Sequence, residues 1–226
     1  MKLFALHLLG NAAILWLGYY WLGTSESRGV TLAWSAFLAL LLVILTCWFH
    51  GATFAYFRGM KMPWRHVPLL VGAVLAILVL YFLVSKWEDW TSGFAFKVAS
   101  WLTLKLRKPV KPALLTRVCS VSFWLVRWMV IPVYVLPLMS DLAAFGAKGL
   151  KSIGRKAHTA SYWVIAPVLL ACAFWVPLRV VGWVPHASSF GLEMASFILR
   201  FAVAYALFVG AWLLLARHSS ELPKKV

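Results

Sequence analysis

Charged residues are scarce in this sequence: Asp, Glu, Lys and Arg together account for 12% of its 226 residues. Soluble proteins carry roughly 25% charged residues, so this chain has too few to build an ordinary water-facing surface. Its hydrophobic residues reach 63%, against roughly 45–50% in soluble proteins. The composition therefore excludes an ordinary soluble domain and indicates a protein that lives in a bilayer.

Cysteines and catalytic patterns are also sparse. The three cysteines, Cys47, Cys119 and Cys172, each lie within or beside an apolar run. An odd number with no CxxC pair provides no disulfide framework, so we interpret them as small buried residues. The sequence has no GxSxG, Walker loop, metal-spaced cluster or catalytic pair of carboxylates. It gives no reason to expect an enzyme, although it leaves that question open.

Acidic residues are greatly outnumbered by basic ones. Six Asp and Glu stand against 22 Lys and Arg, which gives a formal net charge of +16 and a pI of about 10.2. In a soluble protein such an excess would indicate binding to nucleic acid. Here the basic residues lie at the ends of apolar runs, where lipid headgroups are. We therefore expect anionic phospholipid, and not nucleic acid, as the partner.

Apolar runs of about 20 residues, the length of a membrane-spanning helix, recur along the chain. They predict an all-α fold: a polytopic integral membrane helical bundle of five to six spans, forming a single domain over 1–226 in the plasma (inner) membrane. Ala202, Ala206 and Gly210 give the last span a small-xxx-small face, which suits packing in a membrane complex or a homo-oligomer. The predicted spans cover residues 3–22, 30–57, 67–85, 118–139, 163–184 and 190–216.

Two basic segments, residues 94–106 and 140–162, predict amphipathic helices that lie in the membrane interface. Ser140 can cap the second helix at its N-terminus, where the charge of Asp141 is favourable to the helix dipole. Such helices present their cations to anionic headgroups; the alternative is a face that docks on a neighbouring subunit. The cations of the second segment lie opposite an apolar stripe and are Lys148, Lys151 and Arg155.

The segment 118–139 is the ambiguous span, because Arg127 lies near its middle and Pro132 and Pro137 interrupt it. An arginine at the centre of a span costs about 2.5–3.5 kcal/mol on an insertion scale, which the apolar residues here only just offset. If this segment does not cross the bilayer, a larger share of the Lys and Arg residues falls on one side of the membrane. The positive-inside rule therefore favours five full spans and a proline-bent re-entrant segment, with six spans as the alternative.

Apart from histidines, four ionisable residues lie within apolar stretches, where each needs a partner or water. Arg179 and Glu193 fall at matching depth on either side of a turn at 185–189, which predicts an ion pair across that hairpin. Arg127 and Arg200 fall near the midplane, where we find no carboxylate of this chain. They predict either hydrogen bonds to backbone carbonyls or an intramembrane anion site.

A short internal similarity pairs Phe-Trp-Leu-Val-Arg at 123–127 with Phe-Trp-Val-Pro-Leu-Arg at 174–179. Each segment follows a basic stretch and brings an arginine into an apolar run. The pattern is that of a surface helix followed by a membrane segment, present twice. A true internal repeat is one hypothesis, and chance similarity is the other.

His7 and His50 fall at similar depth on the first two predicted spans, so both can face the gap between those helices. Two imidazoles on facing helices are one way in which a bundle holds a haem iron. Lone histidines near the ends of spans are more often interfacial residues. We therefore expect no cofactor, with haem held by these two residues as the less favoured alternative.

Three functions fit these observations. The first is a non-catalytic membrane protein or complex subunit that engages anionic lipid through its basic amphipathic helices. The second is a small transporter or lipid-handling protein in which the midplane arginines form an anion site, and the third is a haem-carrying electron-transfer subunit. The sequence favours the first, because the others need a ligand that no motif indicates.

Overall fold

The computed structural model describes residues 1–25, 27–109, 111–152, 159–185 and 189–221. It is 88% helical, and these ranges contain no β-strand. Two π-helical turns cover Val126–Val130 and Ala171–Trp175, and 3₁₀ helices cover Trp64–His66 and Gly146–Ser152. The α-helices are α1 (Lys2–Leu22), α2 (Gly29–Phe57), α3 (Val67–Leu106), α4 (Pro112–Leu125), α5 (Ile131–Phe145), α6 (Tyr162–Leu170), α7 (Val176–Gly182) and α8 (Phe190–Ser220).

Six helical segments in the described ranges are long and apolar enough to cross a membrane. At most 28% of the most apolar stretch of any segment is buried inside the protein. The remainder suits lipid, because a helix satisfies its own backbone polar groups and hydrocarbon accepts apolar side chains. The predicted class, an all-α multi-pass membrane bundle, is confirmed. The segments are Lys2–Leu22, Gly29–Phe57, Trp64–Thr91, Pro112–Lys151, Tyr162–Gly182 and Phe190–Ser220.

The hydrophobic core lies where α2, α3, α5, α6 and α8 meet. Leu70, Val133, Ala166 and Leu215, from four of these helices, are fully buried there. Because α5 and α6 contribute small residues to this core, the neighbouring helices pack closely against them. The core fixes the relative positions of the helices that carry the polar groups described below.

A buried polar cluster lies at one end of the bundle. Arg58, which follows the last residue of α2, forms a salt bridge with Asp141 near the end of α5. Ser140 accepts a hydrogen bond from Arg58 at 3.2 Å and donates to Ser220, the last residue of α8, at 2.9 Å. These contacts bring the ends of α2, α5 and α8 to one level, which we call the Asp141 end.

Helix α3 continues well past the predicted third span. No proline occurs between Pro68 and Pro109, so nothing in the sequence interrupts the helix until Arg107 adopts a left-handed conformation with φ of 52°. At 1.5 Å per residue, its 40 residues extend over about 60 Å, twice the thickness of a hydrocarbon core of about 30 Å. The prediction of a separate helix at 94–106 is therefore wrong, because that segment is the end of α3; its place in the membrane interface stays a prediction.

The ambiguous segment 118–139 forms no hairpin. The chain runs as one helical rod from Pro112 through the first π-helical turn to Phe145, without reversing direction. Pro132 is the second residue of α5, directly after the first π-helical turn, and only Pro137 lies inside the helix. The preference for a re-entrant segment is thus corrected, since a re-entrant segment needs a chain reversal and six segments are long enough to cross.

The first π-helical turn leaves one backbone carbonyl without a helical partner, and a side chain of α3 donates a hydrogen bond to it. The N–H of Ile131 bonds to the carbonyl of Val126, five residues earlier, and the next residue, Pro132, has no N–H. The carbonyl of Arg127 therefore loses its helical partner. The hydroxyl of Tyr81 donates to it at 2.8 Å. A span with a π-helical turn and a proline is thus tied to its neighbour at the point where its own hydrogen bonding is interrupted.

We expect Tyr81→Phe to destabilise the protein by about 1–2 kcal/mol, because it leaves the carbonyl of Arg127 unpaired. Pro132→Ala supplies an N–H at the position where the π-helical turn needs it. In the Pro132→Ala background, Tyr81→Phe should therefore cost clearly less. Thermal unfolding of the four proteins in detergent measures this coupling. An equal cost of Tyr81→Phe in both backgrounds would show that the hydroxyl does not serve this carbonyl.

The second π-helical turn overlaps the other copy of the internal similarity noted in the sequence. The N–H of Val176 bonds to the carbonyl of Ala171, and Pro177 follows at once. Each π-helical turn is thus followed, one residue later, by a proline. The turns do not match the similarity in register, because one begins three residues after Phe123 and the other three residues before Phe174. A true internal repeat stays a hypothesis.

The predicted amphipathic helix over 140–162 is also wrong. Residues 140–145 are the end of α5, and Gly146, with φ of 60°, turns the chain into the 3₁₀ helix that packs back on α5. Ser140 and Asp141 are therefore buried in a last turn and do not cap a first one. Lys148 and Lys151 are exposed in the 3₁₀ helix, and Arg155 lies outside the described residues.

Candidate functional site

Arg127 has a carboxylate partner. Its guanidinium lies 2.6 Å from Oε2 of Glu88 and donates to the Ser85 hydroxyl at 3.1 Å, both on α3. The two charged side chains are 25% and 27% exposed. The expectation that no carboxylate lies within reach of Arg127 is wrong.

This ion pair marks the end of the bundle opposite the Asp141 end. His66 donates from Nδ1 to the carbonyl of Ala143 at 3.0 Å, which brings the start of α3 level with the end of α5. Glu88 then lies about 33 Å further along α3, roughly the thickness of a hydrocarbon core. Arg127 therefore reaches toward a membrane boundary, which we call the Glu88 end, and its partial exposure suits that position.

Arg200 lies at the same end and binds backbone carbonyls. It is about 30 Å along α8 from Ser220, which belongs to the Asp141 end. Its guanidinium donates to the carbonyl of Val181 at 2.9 Å and to that of Trp183. These carbonyls lie at the C-terminus of α7, where helical partners run out. Arg200 thus acts as a cap of α7, and of the two predictions for it the structure favours backbone carbonyls.

Arg179 and Glu193 do not form the predicted ion pair. Helix α7 ends at Gly182, well before the turn from which both depths were counted, whereas α8 begins at Phe190 directly after it. Arg200 is therefore the α8 residue level with the end of α7, and Glu193 lies about 10 Å beyond it along α8. The guanidinium of Arg179 lies over the ring of Trp175, 5.2 Å from its centroid.

His7 and His50 do face each other, with ring centroids 6.0 Å apart, but His7 is already engaged. The Thr53 hydroxyl donates to the carbonyl of Phe49 at 2.9 Å, so it must accept from Nε2–H of His7, 2.8 Å away. Nδ1 of His7 is then the acceptor that faces the side-chain amide of Asn11 at 3.4 Å. Both ring nitrogens of His7 are therefore taken up by protein.

Phe49 fills the space beside these two histidines. Its ring centroid lies 4.5 Å from that of His7 and 5.3 Å from that of His50. A haem held between the two imidazoles would have to displace this ring and break the bond from His7 to Thr53. The arrangement does not fit a bis-histidine haem. In addition, no cluster of three or more His, Cys, Asp or Glu suited to a metal occurs among the described residues.

The most distinctive surface is the part of α3 beyond Thr91 together with α4, which we call the basic hairpin. It extends about 27 Å past Glu88 along α3. The two helices pack against each other, and Ala95 and Ala99 are buried on the inner side of α3. No acidic residue occurs in the sequence between Asp89 and Asp141. The cations of the hairpin and its tip are Lys97, Lys105, Arg107, Lys108, Lys111 and Arg117.

Large apolar side chains lie exposed between these cations. Phe96 is 68% exposed, Trp101 is 56% exposed and Leu104 is 81% exposed. The ammonium of Lys105 lies 4.7 Å from the ring centroid of Trp101, and a similar contact joins Lys97 to Phe94. Basic groups and aromatic rings thus share one surface, a combination typical of elements that bind a charged membrane interface.

The residues that sequence reasoning missed carry a recognisable signal. Tyr81, Ser85 and Glu88 follow helical spacing of four and then three residues, so they form one stripe on α3. All three contact Arg127. A polar stripe at the end of an apolar helix is a reason to look for a buried cation on its neighbour. Arg58 and Asp141 gave a weaker signal, because each is a lone charge at the end of a span.

Comparison of the chain with known protein families, with curated proteins and with solved structures found no match. The fold therefore defines the class of the protein, a multi-pass all-α membrane protein.

Proposed function

We propose that this protein is a non-catalytic, multi-pass protein of the plasma (inner) membrane that binds anionic phospholipid, alone or as a subunit of a membrane complex. The basic hairpin is the observation that carries the proposal. It combines cations and exposed aromatic rings, and the sequence has no carboxylate between Asp89 and Asp141. A second group of exposed cations, which includes Lys148 and Lys151, lies beside the Asp141 end.

The physical case rests on how the hairpin surface interacts with water and with lipid. Exposed aromatic and aliphatic side chains on this scale are unfavourable in water and favourable in a membrane interface. Each Lys or Arg near an anionic leaflet contributes about 1 kcal/mol. Because the hairpin has no carboxylates, these contributions add without internal compensation. Anionic lipid therefore satisfies both the apolar and the charged parts of this surface.

The other two functions receive less support from the geometry. Arg127 binds Glu88, and Arg200 caps α7, so neither guanidinium needs an anion from outside the protein. His7 bonds to Thr53 and packs against Phe49. Lipid binding needs no rearrangement of the described residues.

The test replaces Lys97, Lys105, Lys111 and Arg117 with glutamine. Purified protein in nanodiscs of neutral lipid is mixed with vesicles of phosphatidylglycerol or of phosphatidylcholine, and bound protein is measured by flotation. At about 1 kcal/mol per cation, the fourfold variant should lose about a hundredfold or more of its affinity for the anionic vesicles. Binding to neutral vesicles should change little.

A charge-retaining control exchanges Lys for Arg and Arg for Lys at the same four positions. It should bind like the unaltered protein, and raising the salt concentration should weaken both proteins. The proposal fails if the glutamine variant keeps its preference for anionic vesicles. A hairpin that ignores lipid charge would be better explained as a docking surface for another protein.

A further inference from the structure

An apolar groove of about 510 Å³ opens on the lipid-facing side between the two π-helical turns. Trp124 and Trp128 form one wall, and Pro167, Trp175 and Leu178 belong to the other. The second wall extends over about 16 Å from Pro167 to Leu178 along the helix axis. The groove therefore extends along the helix axis over that length. The volume of the groove lies within the range of about 300–1,000 Å³ typical of ligand clefts.

The groove results from the backbone irregularities of both walls. Residues of each π-helical turn line it, among them Met129 from the first and Ala171 and Phe174 from the second. A π-helical turn widens a helix locally and shifts the side chains that follow it. In membrane proteins, such interruptions are tolerated where they line a cavity or are buried in protein. Two interruptions that face one groove therefore indicate that the groove is a formed feature of the bundle.

A cation lies at the end of this groove that is nearer the Glu88 end of the bundle. Arg179 directly follows Leu178, and its guanidinium lies over the face of Trp175, which lines the groove. The Arg179 side chain is exposed, and within the described residues no carboxylate lies within 4.0 Å of it. Tyr162, which bonds to Ser219 near the Asp141 end, lies about 25 Å back along the same helical segment. Arg179 is therefore at headgroup depth on the opposite side.

We infer that this groove holds one phospholipid, with an acyl chain between the two π-helical turns and its headgroup phosphate on Arg179. The apolar walls match an acyl chain, and the groove extends along the helix axis, which is the direction in which acyl chains run. The guanidinium supplies paired N–H donors at the depth of the phosphate, and such donors suit phosphate oxygens. The site shares its class of ligand with the proposed function, and Trp124 and Leu125 of α4 line it, but it uses none of the cations of the basic hairpin.

The test titrates the full-length protein in detergent with phosphatidylglycerol and counts bound lipids by native mass spectrometry. Three variants are compared with the unaltered protein. Arg179→Gln removes the cation, Ala171→Phe places a ring in the groove, and Leu178→Trp fills the part of the groove next to Arg179. Ala171 and Leu178 are both exposed, so the larger side chains need no space in the protein core. Arg28→Gln, an exposed arginine outside the groove, is the matched control.

We expect the first lipid to bind about tenfold more weakly to Arg179→Gln, and more weakly still to the two groove-filling variants. Arg28→Gln should bind like the unaltered protein, and so should the hairpin variant with four glutamines. Glycerol phosphate, the headgroup without acyl chains, should not displace the lipid. The inference is overturned if both groove-filling variants keep the first lipid, or if glycerol phosphate displaces it, since the site would then bind a free anion. A result confined to the hairpin variant would refute the groove while leaving the proposed function intact.

Discussion

Replacing Asp141 with alanine is expected to destabilise the protein by about 3–5 kcal/mol, the largest effect of any single substitution considered. The Arg58 and Asp141 side chains are only 6% and 9% exposed, and the pair joins α2 to α5. Asp141→Ala leaves the guanidinium of Arg58 buried without its counter-charge. In a protein of this size the loss corresponds to a fall in Tm of about 10 °C, measurable by thermal unfolding in detergent.

A double variant distinguishes the loss of charge pairing from the loss of packing. Arg58→Met together with Asp141→Leu removes both charges and keeps comparable apolar volume, so it should be more stable than Asp141→Ala alone. Asp89→Asn serves as the control, because the pair that Asp89 forms with Lys86 is 73% and 64% exposed and contributes at most about 1 kcal/mol. If the double variant is no more stable than the single one, the stranded charge is not the cause.

The fold class followed from composition because a bilayer imposes few choices on an apolar chain. Runs such as 30–57 and 190–216 are too long and too apolar for anything but membrane helices, and α2 and α8 coincide with them to within a few residues. Only the internal backbone hydrogen bonds of a helix satisfy such a segment. This constraint acts on each segment separately, so it can be applied to a sequence without knowing the packing.

Helix ends were harder to predict, because the polarity of a segment does not show where a helix stops. Basic residues after Thr91 indicated a new surface helix, yet no residue before Arg107 interrupts the backbone, and α3 continues. In the segment 140–162, the helical spacing of the cations was misleading because Gly146 ends α5. In both cases the charge pattern showed what lies near water but not where the backbone bends.

The errors in pairing came from the same source. The depths of Arg179 and Glu193 were measured from a turn that only one of the two helices reaches. The depth of Arg127 was measured within a span assumed to be centred on it, whereas the long α3 brings Glu88 beside it. By contrast, the depths of His7 and His50 agreed, because the loop between α1 and α2 is short. Depth counting succeeds only when both helices reach the turn.

Replacing Gly149 with alanine is expected to destabilise the protein by about 1–3 kcal/mol, because the methyl group meets backbone that cannot move aside. A Cβ at this position would lie 2.5 Å from the carbonyl carbon and oxygen of Asp141 and 2.8 Å from the nitrogen of Leu142. These atoms belong to α5, which is held by the Arg58 salt bridge, so the 3₁₀ helix has to move away instead. The expected result is a lower Tm.

A second measurement on the same variant follows the 3₁₀ helix directly, because Lys148 and Lys151 lie in it and trypsin cleaves after lysine. Release of this segment from α5 should speed cleavage there, since proteolysis reports local opening. Gly72→Ala is the control: Gly72 lies inside α3 with nothing within 4 Å of an added Cβ, so alanine there should stabilise by about 0.5–1 kcal/mol. A Gly149→Ala protein as stable and as resistant to trypsin as Gly72→Ala would show that the 3₁₀ helix is not packed closely on α5.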